Sequence, residues 1–175
     1  MNNLKKTMLE IRNAKAEDKE EVVDYILSYR NILYPMLPRN IIPNDLLYFE
    51  DTYISNEKSA FLIATDKHKI IGTIGCIPYN NRFAMFDYSN FKTAEIVRLY
   101  VEPSFRRKGL GNKLFEHIFK IAEKFDYQIL YLHTHPFLKG ATEFWQKNNF
   151  FTIFFDDNPL LPTSHMQRLI HRYQD

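Results

Sequence analysis

The 175-residue sequence is poor in glycine and cysteine and has no long hydrophobic run. Its five glycines compare with about a dozen expected at an average usage of roughly 7%. The single cysteine, Cys76, excludes an intramolecular disulfide and a zinc site built on paired cysteines. No apolar run approaches the ~18 residues that a transmembrane helix needs, so we expect no membrane partner.

Positively and negatively charged residues are nearly balanced. Lys and Arg total 23 against 21 Asp and Glu, a formal charge of +2, and no block of like charges stands out. A nucleic-acid partner is therefore not expected. The first residues contain lysines without an apolar segment behind them, which argues against a secretory signal and for a cytoplasmic location. With 45% hydrophobic residues, residues 1–175 are expected to form a single domain.

The hydrophobic pattern predicts strands alternating with helices. The strongest helix signal covers residues 109–125, where apolar residues recur every three or four positions. Strands are predicted at residues 9–12, 60–64, 70–77, 94–101, 128–134, 150–155 and 165–170, and helices at 16–29, 45–54, 109–125 and 141–147. This order predicts an α/β (α+β) protein with a mixed sheet.

Two of the scarce glycines, Gly109 and Gly111, lie together at the start of the strongest predicted helix. A helix N-terminus exposes unpaired N–H groups and carries a partial positive charge. Glycine lets an anion approach the backbone, and Arg106, Arg107 and Lys108 add positive charge. This segment therefore predicts a phosphate site, most naturally for a pyrophosphate.

Two common phosphate motifs do not fit this segment. A P-loop needs Gly-x-x-x-x-Gly-Lys-Ser/Thr, and that spacing is absent. A dinucleotide-binding fingerprint needs a third glycine where Leu114 stands. What remains is Arg106-x-x-Gly109-x-Gly111 after a predicted strand.

The segment from Glu95 to Asn112 resembles the cofactor-binding core of the GNAT superfamily of acyl-CoA-dependent N-acetyltransferases. The similarity includes the strand end Leu-Tyr-Val at residues 99–101 and the Arg-x-x-Gly-x-Gly motif that follows. Downstream, residues 141–150 are similar to the family's Ala-x-x-Phe-Tyr-x-x-x-Gly-Phe segment. The resemblance implies a largely antiparallel central sheet with helices on both faces.

The resemblance also implies how acetyl-CoA binds as a cosubstrate, without a metal. Backbone N–H groups of the loop hold the pyrophosphate, the pantetheine runs beside the strand end, and a backbone N–H polarises the acyl carbonyl. The residues expected to bind the cofactor are Leu99, Tyr100, Val101, Arg106, Arg107, Lys108, Gly109, Leu110, Gly111, Asn112 and Trp145.

Direct attack on the thioester requires a neutral amine, so a base must remove a proton. Glu95 begins the strand where some members of the resembled family carry a catalytic glutamate, and we interpret it as the candidate catalytic residue. The alternative is that Glu95 only forms a salt bridge with Arg98 or caps the strand. The two interpretations stay open.

The sequence departs from the resembled family at three positions. Trp145 stands where relatives often have a Tyr that protonates the leaving thiolate, and an indole N–H is not a useful acid. Trp145 can contact the acyl group or belong to the core. Asn149 replaces a glycine after a helix, where Asn is the next most tolerant of left-handed geometry. Leu138 stands where many relatives have an Asn that touches pantetheine.

For four further groups of residues, a structural role is the first interpretation. His133 and His135 are expected on one face of a strand, with no carboxylate obviously paired with them. We interpret them as strand-end residues near the opening of the sheet, with contact to the substrate as the alternative. The aromatic group Phe83, Phe86, Tyr88 and Phe91 forms hairpin packing, a homodimer contact or a wall of the acceptor pocket. Cys76 reads as a small buried hydrophobe. The charges between residues 29 and 53 either face a substrate or form a solvated surface; they are Arg30, Arg39, Asp45, Glu50 and Asp51.

The sequence thus predicts an N-acetyltransferase that transfers an acetyl group from acetyl-CoA to a primary amine of a small molecule or peptide. A non-catalytic acyl-CoA-binding module is the main alternative, because Trp145 removes the usual acid. A nucleotide-phosphate binder of other chemistry is disfavoured by the missing motif residues.

Overall fold

A computed structural model describes residues 9–170, which form one mixed sheet of seven strands. The order is β1-β2-β3-β4-β5-β7-β6, and only the central pair β4–β5 is parallel. This arrangement confirms the predicted mixed, largely antiparallel sheet. The strands are β1 Leu9–Asn13, β2 Ala60–Asp66, β3 Lys69–Pro78, β4 Thr93–Val101, β5 Ile129–Thr134, β6 Phe151–Asp156 and β7 Thr163–Leu169.

Helices cover both faces of the sheet, as predicted. The longest are α1 (Lys19–Leu33) and α3 (Leu110–Lys124), while α2 (Asn44–Leu47) and α4 (Ala141–Lys147) are short. The apolar stripe of α3 is buried against β2, β3 and β4. Among the described residues, no helix combines the length and the apolar character needed to cross a bilayer.

The predicted helix over residues 45–54 is interrupted. Tyr48 leaves helical geometry at φ −103° and ψ 43°, and a π-helical turn, Glu50–Ile54, follows α2. Leu46, Phe49 and Tyr53 are nevertheless all buried. Their spacing of three and four residues is the pattern that predicted a helix, and it is satisfied by two shorter turns.

Two apolar layers and one aromatic layer hold the sheet. One layer lies between the sheet and α3 and α4, and a second lies between the sheet and α1 and α2. The aromatic layer lies under the connection between β3 and β4, residues 79–92, on the face of Tyr131. Because Leu130 and Leu132 belong to the α3-side layer, the intervening Tyr131 points to the α1 side of the sheet.

The shortage of glycine leaves most left-handed positions to other residues. Within residues 9–170, seven non-glycine residues have positive φ, against two glycines, Gly109 and Gly140. Asn149, at φ 61°, follows α4, and its N–H donates to the Gln146 carbonyl at 3.0 Å. The Phe150 N–H donates to the Trp145 carbonyl at 3.0 Å, which completes a Schellman motif. The expected tolerance of Asn at this position is thereby confirmed.

We predict that Asn149→Ala lowers the free energy of unfolding by about 1 kcal/mol, because alanine is strained in the left-handed region. Asn149→Gly is expected to be neutral or slightly stabilising. Chemical denaturation measures both, with Gln146→Ala on the exposed side of α4 as the control. Equal stability of Asn149→Ala and Gln146→Ala would contradict the role given to the left-handed geometry.

Candidate functional site

The site begins with an opening in the centre of the sheet. β4 and β5 pair only from Thr93 to Glu95, opposite Ile129 to Tyr131. Both strands continue beyond that point, β4 to Val101 and β5 to Thr134. No further register between them is formed within residues 9–170, so the two strands diverge and leave a wedge-shaped cleft.

A β-bulge in β4 accompanies this divergence. Between the pairs Thr73–Tyr100 and Gly75–Val97, the single residue Ile74 of β3 faces both Arg98 and Leu99 of β4. Arg98 has a positive φ of 57°. A bulge bends its strand and increases the local twist, which favours separation from the next strand.

The side chain of Arg98 anchors the bulge to α2. Its Nε and Nη2 donate to the Asp45 carboxylate at 2.9 and 2.6 Å, and both side chains are 18% exposed. The Tyr53 hydroxyl donates to the same carboxylate at 2.9 Å. Burial alone would lower the pKa of Arg98, but its hydrogen bonds to Asp45 raise that pKa above the usual value. The Arg98 carbonyl in turn accepts a hydrogen bond from Thr73 Oγ1 at 2.8 Å.

The loop before α3 offers backbone N–H groups. The first α3 hydrogen bond runs from the Lys113 N–H to the Gly109 carbonyl at 3.0 Å. The N–H groups of residues 110–112 therefore precede the helical ladder and point out of its N-terminus. Gly109 has φ 81°, and an added Cβ would meet no atom within 4 Å. These donors, with open space beside them, suit an anion such as a pyrophosphate.

The three basic side chains of this loop have different contacts. Arg106 Nε donates to the Val101 carbonyl at 2.8 Å, so this arginine ties the loop to the end of β4. Lys108 lies over the Phe105 ring at 5.6 Å. Arg107 is exposed and has a positive φ of 58°. Their contribution to anion binding stays a prediction.

Gly111 has a packing reason that the sequence does not reveal. A Cβ at this position would lie 3.2 Å from Cε2 of Phe144 in α4. The glycine lets α3 approach α4 closely, which keeps the N-terminus of α3 beside the strand end at Val101. The anion-binding role expected for its N–H stays a prediction.

Glu95 lies at the closed end of the cleft and is only 1% exposed. Its two oxygens accept hydrogen bonds from Arg82 Nη1 and Nη2, both at 2.6 Å. His133 Nδ1 is 3.2 Å from Glu95 Oε1. Burial would raise the pKa of Glu95, but the interactions with Arg82 and His133 outweigh it and hold that pKa below the usual value.

The salt bridge between Glu95 and Arg98, considered as an alternative to a catalytic role, is not formed. The bulge directs Arg98 to Asp45, and Arg82 reaches Glu95 from the long connection between β3 and β4. No local pattern could have identified Arg82, because it lies in a segment without helical or strand periodicity.

His133 lies in β5, but His135 follows the end of that strand at Thr134, so the prediction of two histidines on one strand face holds only for His133. The ring centroids of His133 and His135 are 5.9 Å apart. The expectation that no carboxylate is paired with them is wrong for His133, which contacts Glu95. His135 Nδ1 lies 3.0 Å from the Pro162 carbonyl oxygen, and burial lowers the pKa of His135.

Most aromatic residues of the β3–β4 connection pack against the sheet at the base of this hairpin, as one of the interpretations above expected. Phe83, Phe86 and Tyr88 lie against Tyr131, with ring centroids 5.8 to 6.3 Å from it. The Tyr131 hydroxyl is 2.6 Å from His165 Nδ1. Burial lowers the pKa of His165 to about 4. The Arg82 guanidinium packs on one of these rings, since it lies over Phe83 at 4.7 Å from the ring centroid.

Trp145 is placed in the layer between the sheet and α3 and α4. It is 7% exposed and packs edge-on against Phe115 and Phe150 at 5.7 and 5.2 Å. Its contact with a bound acyl group stays a prediction. Cys76 is fully buried, and burial raises the pKa of its thiol to about 12, which confirms it as a buried hydrophobe. Across residues 9–170, no three His, Cys, Asp or Glu side chains are grouped to hold a metal ion.

The chain is similar to known proteins over the segments that form the site. The model of the acetyltransferase (GNAT) family matches residues 24–150. A curated relative from Archaeoglobus fulgidus, named an uncharacterized N-acetyltransferase, is 31% identical over 116 residues, which cover 65% of this chain and 74% of the relative.

Solved structures share the fold. The crystal structure of a GNAT-family acetyltransferase from Staphylococcus aureus Mu50 has a TM-score of 0.73 at 23% identity, covering 92% of this chain and 98% of that one. The paia N-acetyltransferase from Thermoplasma acidophilum, in complex with coenzyme A, has a TM-score of 0.68 at 21% identity, covering 93% and 99%.

We predict that Arg82→Gln destabilises the protein by about 2 kcal/mol at neutral pH, because it leaves the Glu95 carboxylate buried with one partner fewer. Breaking a buried pair costs about 3–5 kcal/mol, and the 36% exposure of the Arg82 side chain reduces this figure. In the wild type, the lowered pKa of Glu95 gives stability that is present above the unfolded-state pKa and lost in acid.

The stability difference between wild type and Arg82→Gln should therefore shrink as the pH falls from 7 to 4, where Glu95 of the variant takes up a proton. Urea denaturation at several pH values measures this, with the exposed Arg39→Gln as the control. A pH-independent difference would contradict the ion-pair account.

Proposed function

The chain belongs to the acetyltransferase (GNAT) family, and from this premise we propose that it transfers an acetyl group from acetyl-CoA to a primary amine of a small molecule or peptide. The observation that carries the proposal is the position of the α3 N-terminus beside the wedge between β4 and β5. One end of the cleft offers backbone N–H donors for a pyrophosphate, and the other end holds Glu95 and His133.

The residues of the loop and of β4 fit an acyl-CoA. Residues 107–112 supply N–H groups and positive charge for the phosphates, and the open space at Gly109 leaves room for them. Leu99, Tyr100 and Val101 form the edge of β4 that faces the cleft, where backbone groups can pair with an extended arm. When bound, the cosubstrate supplies a thioester carbonyl that an amine attacks directly, without a covalent enzyme intermediate. The relative from Thermoplasma acidophilum, in complex with coenzyme A, supports this assignment.

Removal of the amine proton is assigned to the pair Glu95 and His133. Both lie on the α1 side of the sheet at the closed end of the cleft, and the sequence alone left Glu95 open between a catalytic and a structural role. A backbone N–H of β4 beyond the bulge is the candidate donor to the acyl oxygen.

Most charged side chains of the α1–α2 region already have partners within the protein, so few remain to bind the acceptor. Asp45 is bound by Arg98, Glu50 lies 3.4 Å from Lys19, and the buried Arg30 donates to the Pro38 carbonyl. Arg39 and Asp51 are exposed. This pattern favours an acceptor bound by shape and aromatic contacts more than by a charged pocket. A cytoplasmic location and a homodimer stay part of the proposal.

A non-catalytic acyl-CoA-binding module is the second candidate. It is favoured by the identity of Trp145, because an indole offers no phenol at the position where the resembled family has its acid. Free thiols have a pKa near 8.5, so a thiolate can also leave without assistance.

We predict that acetyl-CoA raises the Tm of the protein by several degrees, since a ligand that binds only the folded state stabilises it. ATP and NAD should leave the Tm unchanged. A panel of primary amines, followed by the release of free thiol, then separates the two candidates. Stabilisation without thiol release by any amine would favour the binding module, and no stabilisation would exclude both.

The double variant Arg107→Gln/Lys108→Gln should weaken acetyl-CoA binding about tenfold, because two charges next to the phosphates are lost. Lys120→Gln/Lys124→Gln, at the far end of the same helix, is the matched control with the same change in charge. Calorimetric titration measures both. Equal affinity of the two double variants for acetyl-CoA would show that Arg107 and Lys108 do not contribute to phosphate binding.

A further inference from the structure

Glu95 is poorly arranged to accept a proton itself. The Glu95 side chain is 2% exposed, and both carboxylate oxygens accept from the Arg82 guanidinium at 2.6 Å. A carboxylate in this bidentate pair already has strong donors on each oxygen. The interactions with Arg82 and His133 keep the pKa of Glu95 low, which makes it a weaker base still.

His133 is arranged in the opposite way. Its side chain is 33% exposed, and it lies on β5 two residues beyond Tyr131, the last β5 residue that pairs with β4. Tyr131 points to the α1 side, and His133 shares that side because strand residues alternate. The imidazole therefore stands at the edge of the cleft, on the face that carries Glu95.

The contact with Glu95 also selects a tautomer of His133. An ionised carboxylate can only accept hydrogen bonds, so Nδ1, which is 3.2 Å from Glu95 Oε1, carries the hydrogen. In the neutral imidazole this leaves the lone pair on Nε2. A carboxylate on Nδ1 also stabilises the imidazolium that forms when Nε2 takes a proton.

We propose that His133 is the general base of the acetyl transfer, taking the proton of the acceptor amine on Nε2, and that Glu95 is the residue that positions it. The inference rests on the proposed function. The ammonium group gives one proton to Nε2, and its lone pair then forms the C–N bond as the C–S bond breaks. The nitrogen gives up its second proton as the amide forms, and this proton passes, directly or through water, to the departing thiolate, which becomes the free thiol. His133 returns the first proton to solvent.

Other groups around His133 set its electrostatic environment. Glu95 faces it from β4 and Arg82 from the β3–β4 connection. Tyr131 and His135 face it from its own segment, and His165 faces it from β7 at a ring-centroid distance of 6.2 Å. Of the groups described, Glu95 alone carries a negative charge in contact with the imidazole.

The test uses the full chain, acetyl-CoA and the most active amine of the panel. The kcat at saturating substrates is measured by thiol release from pH 5.5 to 9.5 for wild type, His133→Gln and Glu95→Gln. The exposed His117→Gln on α3 is the matched control. Thermal denaturation and the stabilisation by acetyl-CoA are recorded for each variant.

In the wild type, kcat should rise with pH as one group loses its proton. His133→Gln should lower kcat at neutral pH by about 100-fold and abolish this dependence, with the affinity for acetyl-CoA unchanged. Glu95→Gln removes the carboxylate that holds Nδ1 of His133, so kcat should fall less, by about tenfold, with the KM values of both substrates unchanged and the dependence on pH retained. A purely structural role of Glu95 would instead lower the Tm and the stabilisation by acetyl-CoA together with kcat.

Two outcomes overturn the inference and leave the acetyltransferase function standing. One is a His133→Gln variant that behaves like His117→Gln; the other is a Glu95→Gln variant that loses the pH dependence while His133→Gln keeps it. If Glu95→Gln unfolds, His133→Gln decides alone, since its side chain is partly exposed. Failure of the wild type to release thiol with any amine would instead refute the proposed function, and this inference with it.

Discussion

The separation of β4 from β5 is the constraint on which the rest of the site depends. Parallel pairing stops at Glu95, and the bulge at Arg98 and Leu99 bends β4 away from its neighbour. The bulge is held by a side chain rather than by sequence-local geometry, because Arg98 is fixed to Asp45 in α2. The helix layer on the α1 side therefore shapes the cleft in the middle of the sheet.

The connection between β3 and β4 has a second structural role. It reads as an irregular aromatic segment, but it delivers Arg82 to a buried carboxylate and packs its rings on Tyr131 and His165. A buried charge requires a partner, and here the partner comes from a loop held in place by aromatic contacts. Glu95 and His133 are consequently fixed with respect to each other at the closed end of the cleft.

The two glycines at the start of α3 have different structural reasons, and several other left-handed positions are occupied by non-glycine residues. Gly109 adopts a left-handed conformation beside open space, whereas Gly111 is needed because a Cβ would approach Phe144. Asn149 adopts the left-handed position after α4. The two clustered glycines thus have different reasons, one in the backbone conformation of the loop and one in the packing of two helices.

The sequence by itself determined the order of the elements, the mixed sheet, the glycine loop at the start of α3 and the family resemblance, because periodicity and short motifs are local properties of the chain. It also placed Glu95 at the start of β4. Only the tertiary structure decided the partners: Arg82 and His133 for Glu95, Asp45 for Arg98, and Phe144 for Gly111. These pairs join distant segments through a bulge and a loop, and no spacing in the sequence encodes the direction in which a bulged strand turns its side chains.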